Sequence, residues 1–277
     1  VQVAARRLDK GPVHTLDLAR DVMGLSGHEG AAAAAVYALL GPDPRFAVDT
    51  AGVWSLKVAF RQLGPSLGFL DYAVVDVETT GGDPHTGHRI IELAIVEIRD
   101  GVIARDYRTL VNPGRSIPHG VVTLTGITDE AVAAAPYFEQ VAEEVANRLR
   151  GRVFVAQNVM FDRKFVEAEL LEAMGEFPPA EMLCTVRMAR RFLPQLRRRN
   201  LDALSRHYDI RIHGRHRAYG DALATARIFL RLLDEASGKG IHDLHQLVTF
   251  LGGNLGSDRS DPPLELELDD RRGKPGA

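Results

Sequence analysis

A chain of 277 residues is long enough for one sizeable domain and a small one. Its 45% hydrophobic and 26% charged content is that of an ordinary soluble globular protein, and no apolar run reaches the roughly 18 residues that cross a bilayer. The formal charge of −3 identifies no partner, and Cys184, the only cysteine, excludes an intrachain disulfide and fits a reducing cytoplasm. The first residues, VQVAARRLDK, carry no apolar signal region after their charges, so a soluble cytoplasmic protein is expected.

The first 66 residues read as their own unit. VQVAARRL predicts a short helix that breaks at Gly11-Pro12. HTLDLARDVMGLSG places Leu16, Leu18, Ala19 and Val22 close to helical spacing, and Ala31 to Leu40 is a strong helix by propensity. RFAV and VWSLK then flank Asp49-Thr50-Ala51-Gly52, a hairpin signal. Three helices followed by a hairpin resemble the winged helix-turn-helix family, particularly in DPRFAVDTAGVWSLK. In that family the second helix of the motif lies in the DNA major groove. Here that helix would be GHEGAAAAAVYALLG, whose alanine face offers bases no donor or acceptor. A protein-docking role, towards a replication or repair protein, or weak, shape-guided binding is therefore expected of this unit rather than sequence-specific recognition. Gly64-Pro65-Ser66 with Gly68 marks a linker.

From about residue 70 to 252 the pattern is α/β. Tyr72 to Asp76 (YAVVD) predicts a buried strand whose acidic end emerges at a sheet edge. IIELAIVEIRDG and VIARDYRTLVNPG predict two strands joined at Asp100-Gly101. Ser116 to Gly126 reads as loop, Thr128 as a helix start, and Pro136 as the opening of a helix to about Leu149. RVFVAQ is a short strand, MFDRKFVEAELLEAMG an amphipathic helix, and Met182–Cys184 another strand. Helices follow to about Leu193, from Asn200 to Tyr208, and from Ala218 to Ala236. Residues 253–277, polar and proline-bearing, predict a disordered tail.

Asp76 and Glu78 lie two apart, so on an extended strand both carboxylates project from one face. Two such charges repel unless a cation sits between them. A solvated strand end remains the other reading of a D-x-E pair. Two further acidic positions stand at strand-to-helix junctions: Asp162 in AQNVMFDRKF, and Asp221 five residues after His216 in HRAYGDA. α/β folds place ligand sites at such junctions, and several carboxylates are what two octahedral Mg²⁺ or Mn²⁺ ions require.

DVETTG, QNVMFD and HRAYGDA, in that order, resemble the three motifs of the DEDDh (DnaQ-like) 3′–5′ exonucleases, and the likeness covers about residues 70 to 235. IIELAIVEIRDG, VNPG and LTGIT are similar to that family's intervening segments. The resemblance implies a ribonuclease H-like α/β fold, a mixed five-stranded sheet flanked by helices, and two-metal hydrolysis of a terminal phosphodiester. By the same resemblance Asp76 bridges both Mg²⁺ or Mn²⁺ ions and Glu78 holds one of them with the attacking water. Asp162 and Asp221 complete the ligand set, and His216 is the general base. Two departures stand out. Gln157 replaces a frequent histidine, and Gly82 sits where many relatives carry a larger apolar residue near the terminal base, which puts base wedging from that position in doubt.

Between Arg187 and Arg217 lie ten arginines against Asp202 and Asp209, a pattern that suits phosphate tracking along single-stranded 3′ ends. Thr79, Thr80, Asn158 and Arg217 are candidate substrate contacts. QLVTF at Gln246–Phe250 partly resembles a sliding-clamp peptide, but IHDLHQLVTFL reads better as an amphipathic helix, and His242 and His245 as surface residues. The expected function is a 3′–5′ exonuclease acting on DNA in a proofreading or repair setting, like that of the polymerase III epsilon subunit. An exoribonuclease of the same family and a binding regulator with a non-catalytic exonuclease scaffold are the alternatives.

Overall fold

The structure, a computed structural model, describes residues 1–9, 11–43, 45–57, 66–178 and 181–253. The chain opens with α1 (Gln2–Asp9), β1 (Val13–His14), α2 (Thr15–Met23), α3 (Glu29–Leu40), β2 (Phe46–Val48) and β3 (Val53–Leu56). The strands form an antiparallel sheet in the order β1-β3-β2. β1 has only two residues, too short for any periodic signal, and went unpredicted. Leu8, Leu18, Val36, Leu40 and Trp54 make the core of this unit. The Trp54 indole N–H donates to Thr15 Oγ1 at 3.0 Å, and that hydroxyl donates on to the Gly52 carbonyl, which ties the hairpin turn to α2.

Gly64 and Pro65 of the expected linker lie outside the described residues, as does the expected tail from residue 254. The stretch from Ser66 is a fixed joint. Leu67 N–H donates to the His242 carbonyl, Ser66 bridges Asp243, and the Tyr72 hydroxyl donates to the Leu67 carbonyl at 2.6 Å. Leu67 and Leu70 join the larger core, whereas Phe69 packs on the smaller one.

The second unit runs β4 (Tyr72–Thr79), β5 (Ile90–Arg99), β6 (Val102–Leu110), α4 (His119–Thr125), α5 (Asp129–Val132), α6 (Phe138–Leu149), β7 (Val153–Ala156), α7 (Val159–Met174), β8 (Met182–Cys184), α8 (Thr185–Phe192), α9 (Leu201–His207), α10 (Ala218–Gly238) and α11 (Leu244–Phe250). Its sheet is mixed, in the order β6-β5-β4-β7-β8, with antiparallel β6-β5-β4 and parallel β4-β7-β8. The expected five-stranded α/β architecture is present.

β4 is central and covered on both faces. Tyr72 and Val74 join the core beneath α10, and Ala73, Val75 and Val77 join the core beneath α6 and α7. Each fully buried valine here stabilises the fold by about 1.5–3 kcal/mol. Because the period is two, Asp76 and Glu78 continue the Tyr72/Val74 face and emerge under α10.

Two expectations fail in detail. The loop predicted at Ser116–Gly126 contains α4, which Gly126 ends in a left-handed conformation (φ 72°). Its valines and threonines are modest helix formers, but the Thr123 and Thr125 hydroxyls donate to carbonyls one turn back and add local bonds. α6 begins at Phe138 rather than at Pro136, with the Gln140 side chain accepting the Tyr137 N–H at 2.8 Å. Among the described residues no helix is long and apolar enough to cross a membrane.

Candidate active site

Asp76 and Glu78 stand at the end of β4, and Asp221 sits in the first turn of α10 directly above their face. One ligand oxygen from each of these three carboxylates lies within 4.8 Å of the others. Asp221 is buried, and its Oδ1 has no hydrogen-bond partner. Asp162, buried in the first turn of α7, approaches from the opposite face: its Oδ1 accepts the Val77 N–H at 3.2 Å.

These charges disturb one another. Burial raises the Asp76 carboxyl well above its ordinary range, and Asp162, Glu78 and Asp221 raise it further. Glu78 is pushed up to about 8 by burial, then by Asp221, Glu92 and Asp162. Burial lifts Asp162 to about 7 against the hydrogen bond from Val77, and Asp221 to about 6 against the nearby Arg215. Four carboxylates held this way, one with an unpartnered buried oxygen, fit a hard divalent cation with oxygen ligands.

The loop before α10 is shaped to the same site. His216 adopts a left-handed backbone (φ 61°), which costs a non-glycine residue about 1 kcal/mol or more. Its N–H donates to Asp221 Oδ2 at 3.3 Å, and the next residue anchors the turn. Arg217 closes its fork on Glu92 (2.9 and 2.7 Å), and Glu92 also accepts the Ala218 N–H at 2.9 Å. Glu92, on β5, is the register partner of Glu78. Sequence reasoning missed it, although a lone glutamate in the apolar run IIELAIV was a signal. Gly220 is equally specific, because a Cβ there would overlap the carbonyl oxygens of His213 and Gly214. Only glycine lets the loop cross the helix so closely. Burial and then Arg215 lower the half-buried His216 ring below its ordinary value, so it is neutral at physiological pH.

The other predicted positions are placed as follows. The Thr79 hydroxyl donates to the Gly81 carbonyl at 2.7 Å, and Thr80 Oγ1 accepts the Arg89 N–H at 3.0 Å and lies 3.2 Å from His88 Nδ1. Both hydroxyls therefore brace the turn after β4. Arg89 fastens that turn to α7 through the buried Glu169. Asn158, half-buried at the head of α7, makes no capping bond with its side chain. Gln157 donates to the Arg199 carbonyl at 3.0 Å and accepts the Thr185 hydroxyl, so it is an anchor. At Gly82 a Cβ would meet open space, and the Gly82 carbonyl accepts from Lys164 Nζ at 2.5 Å.

The ten arginines divide. Arg187 and Arg199 donate to backbone carbonyls, and Arg215 and Arg217 are ion-paired. Arg190, Arg191, Arg197, Arg198, Arg206 and Arg211 are exposed. QLVTF is part of a packing helix: Leu247 is buried, Gln246 accepts the His242 N–H, and Phe250 stacks on Phe192 at 5.1 Å. His242 and His245 are exposed.

The RNase T family model, described as "Exonuclease", matches residues 73–229. The 3′-5′ exonuclease DinG of Bacillus subtilis is 41% identical over 164 residues, covering 59% of this chain and 18% of that protein. The DNA polymerase III subunit epsilon of Aquifex aeolicus is 33% identical over 177 residues, covering 64% of this chain and 87% of that protein. Among solved structures, Exonuclease X in complex with 5′ overhanging duplex DNA superposes with a TM-score of 0.51 at 28% identity, over 66% of this chain and all of that one. The chain spans 18%, 21% and 30% of the length of the first three curated relatives it matches.

Proposed function

Since the chain belongs to the exonuclease family, we propose that it removes nucleoside 5′-monophosphates from the 3′ end of DNA in a reaction that needs two divalent cations. The observation that carries this reading is the meeting of Asp76, Glu78 and Asp221 within 4.8 Å. Asp162 stands beside them, and His216 is fixed by its own N–H to Asp221.

Asp76, Glu78, Asp162 and Asp221 would hold Mg²⁺ or Mn²⁺, which when bound supply a hydroxide-like nucleophile at neutral pH and neutralise charge on the phosphate. His216, neutral for the reasons above, accepts a proton at a ring nitrogen. Glu92 and Arg217 keep that ring and Asp221 in register with β4. Arg217 is therefore assigned to positioning, since Glu92 takes both arms of its fork. The braced turn at Thr79 and Thr80 offers its main chain to the terminal nucleotide, and Asn158 offers its amide. The exposed arginines of α8, α9 and the loops around them guide the phosphate backbone towards the site. DNA is favoured over RNA because the relatives named for an activity include a DNA polymerase subunit and a DNA-bound exonuclease. We assign residues 1–66 to a winged-helix-like docking module for a replication or repair protein. The docking reading rests on its alanine-rich α3 and its near balance of charge, seven basic against six acidic residues in the first 70.

Matched 5′-labelled DNA and RNA strands, digested side by side with Mg²⁺ and with excess EDTA, test the proposal. DNA shortened from a free 3′ end only when metal is present is the expected result. Faster digestion of RNA would make the protein an exoribonuclease, and turnover that survives EDTA would remove the metals from the mechanism.

A further inference from the structure

One cation already stands among the site carboxylates. Arg215 donates through Nη1 to Asp221 Oδ2 and through Nε to Asp202 Oδ1 at 3.0 Å. Nη1 also lies 3.4 Å from His216 Nδ1. Asp202 is on α9, at the outer side of the arrangement, and its side chain is 44% exposed against 5% for Asp221. One guanidinium thus joins a buried ligand carboxylate to a wet one. Its positive charge is also felt at Asp76 and Glu78.

A guanidinium cannot shed its proton, so this charge leaves the carboxylates only by moving. Asp221 Oδ1 is free for a divalent ion while Oδ2 holds Arg215, so an ion seated there would stand one carboxylate's width from the guanidinium, and the two positive charges repel in a poorly screened site. Asp202 offers the arginine a seat outside the ligand set, one long side chain away. The side chain is long enough to pivot about its Nε–Asp202 bond while Nη1 lets go of Asp221.

We propose that Arg215 is a tethered counter-ion that neutralises the carboxylates while no metal is bound and competes with the metal for Asp221. Asp202 is the seat that retains it after metal entry. Metal affinity is thereby set lower than the bare carboxylates would give, and the site is kept from collapsing by self-repulsion when empty. This rests on the reading that Asp76, Glu78, Asp162 and Asp221 hold the cations.

Titration of Mn²⁺ into the full chain, followed by calorimetry and by the resonance of free Mn²⁺, tests it without reference to hydrolysis. Arg215→Gln removes the competitor, so Mn²⁺ binds about tenfold more tightly, the effect of losing one charge-assisted hydrogen bond. The same variant unfolds a few degrees lower than wild type in EDTA, because the carboxylates lose their counter-charge. Asp202→Asn, which touches no metal ligand, takes away the seat and weakens Mn²⁺ binding. In the Arg215→Gln background Asp202→Asn has no further effect. A merely structural Arg215 would weaken binding when replaced, and equal or weaker affinity in Arg215→Gln overturns the inference. So does an Asp202→Asn effect of undiminished size in the double variant. Wild-type protein that binds no Mn²⁺ would instead overturn the metal reading itself, and this one with it.

Discussion

The main-chain N–H of Val77 donates to Asp162 Oδ1 at 3.2 Å, so the amide between the two strand carboxylates holds the helix carboxylate. Residues 85 apart in sequence are thereby locked at the same sheet edge, and Asp162 has a structural duty besides the ligand role proposed for it.

That double duty separates two substitutions. Both Asp162→Asn and Asp162→Ala should abolish hydrolysis. Asparagine keeps an acceptor for Val77, whereas alanine leaves a buried N–H unpaired at a cost of about 1–3 kcal/mol. Urea unfolding in EDTA should therefore rank the asparagine variant above the alanine one; the reverse order would deny Asp162 its structural role.

Stability without metal should fall as the pH rises. Asp76, Glu78, Asp162 and Asp221 all hold protons more tightly in the folded chain than in the unfolded one, where carboxyls titrate near 4. The folded state thus binds more protons across the window from about pH 4 to about pH 8, and its advantage is lost as pH climbs through it. His216, lowered in the folded state, works in the opposite sense close to its ordinary value, as one group against four. Divalent cations replace the protons, so Mg²⁺ should raise the unfolding temperature more at pH 8 than at pH 6. Glu78→Gln should raise it in EDTA at pH 8. A metal-free protein that grows steadily more stable from pH 5 to 8 would contradict this.

Replacing His216 by alanine should slow hydrolysis by roughly 10²–10⁴-fold while Mn²⁺ still binds. In the wild type the acid limb of the rate profile should have its midpoint below the ordinary histidine value of 6.5, since burial and Arg215 both disfavour the charged ring. Near-normal rates for His216→Ala from pH 6 to 9 would take the ring out of the mechanism.

Gly220→Ala sets two effects against each other. Helix propensity alone would make alanine stabilising by about 1 kcal/mol. The overlap with the His213 and Gly214 carbonyls says instead that the loop carrying His216 must move off α10. A displacement of that kind should lower the rate about 100-fold with helix content intact by circular dichroism. Unchanged turnover would mean that the loop tolerates the shift.

The four carboxylates were legible because each stands at a strand end or in a helix's first turn, where strand parity and motif order suffice. Glu92 and Gly220 were not. The lone charge of Glu92 in IIELAIV signals a partner but not which one, since Arg217 lies 125 positions away, and Gly220 matters through a close backbone approach at His213 and Gly214 that exists only in the folded loop. The arginine-rich run looked uniform in sequence, yet burial divides it into anchors such as Arg187, ion pairs such as Arg217 and exposed charges such as Arg198. Thr79 and Thr80 were expected to face substrate by type, but a hydroxyl within reach of a neighbouring carbonyl or amide bonds there first.

The joint at Ser66–Leu70 has a mechanical consequence. It grips both cores and leads straight into Tyr72, the first residue of β4, while Glu78 lies at the other end of that strand, about 20 Å away along the extended backbone. The small unit is therefore rooted at the rear of the sheet, and a load placed on it travels into the backbone of the catalytic strand without crossing the rim where a 3′ end would enter. A force on the small unit therefore reaches Glu78 along a single strand, as along the shaft of a lever, and from the end opposite the carboxylates.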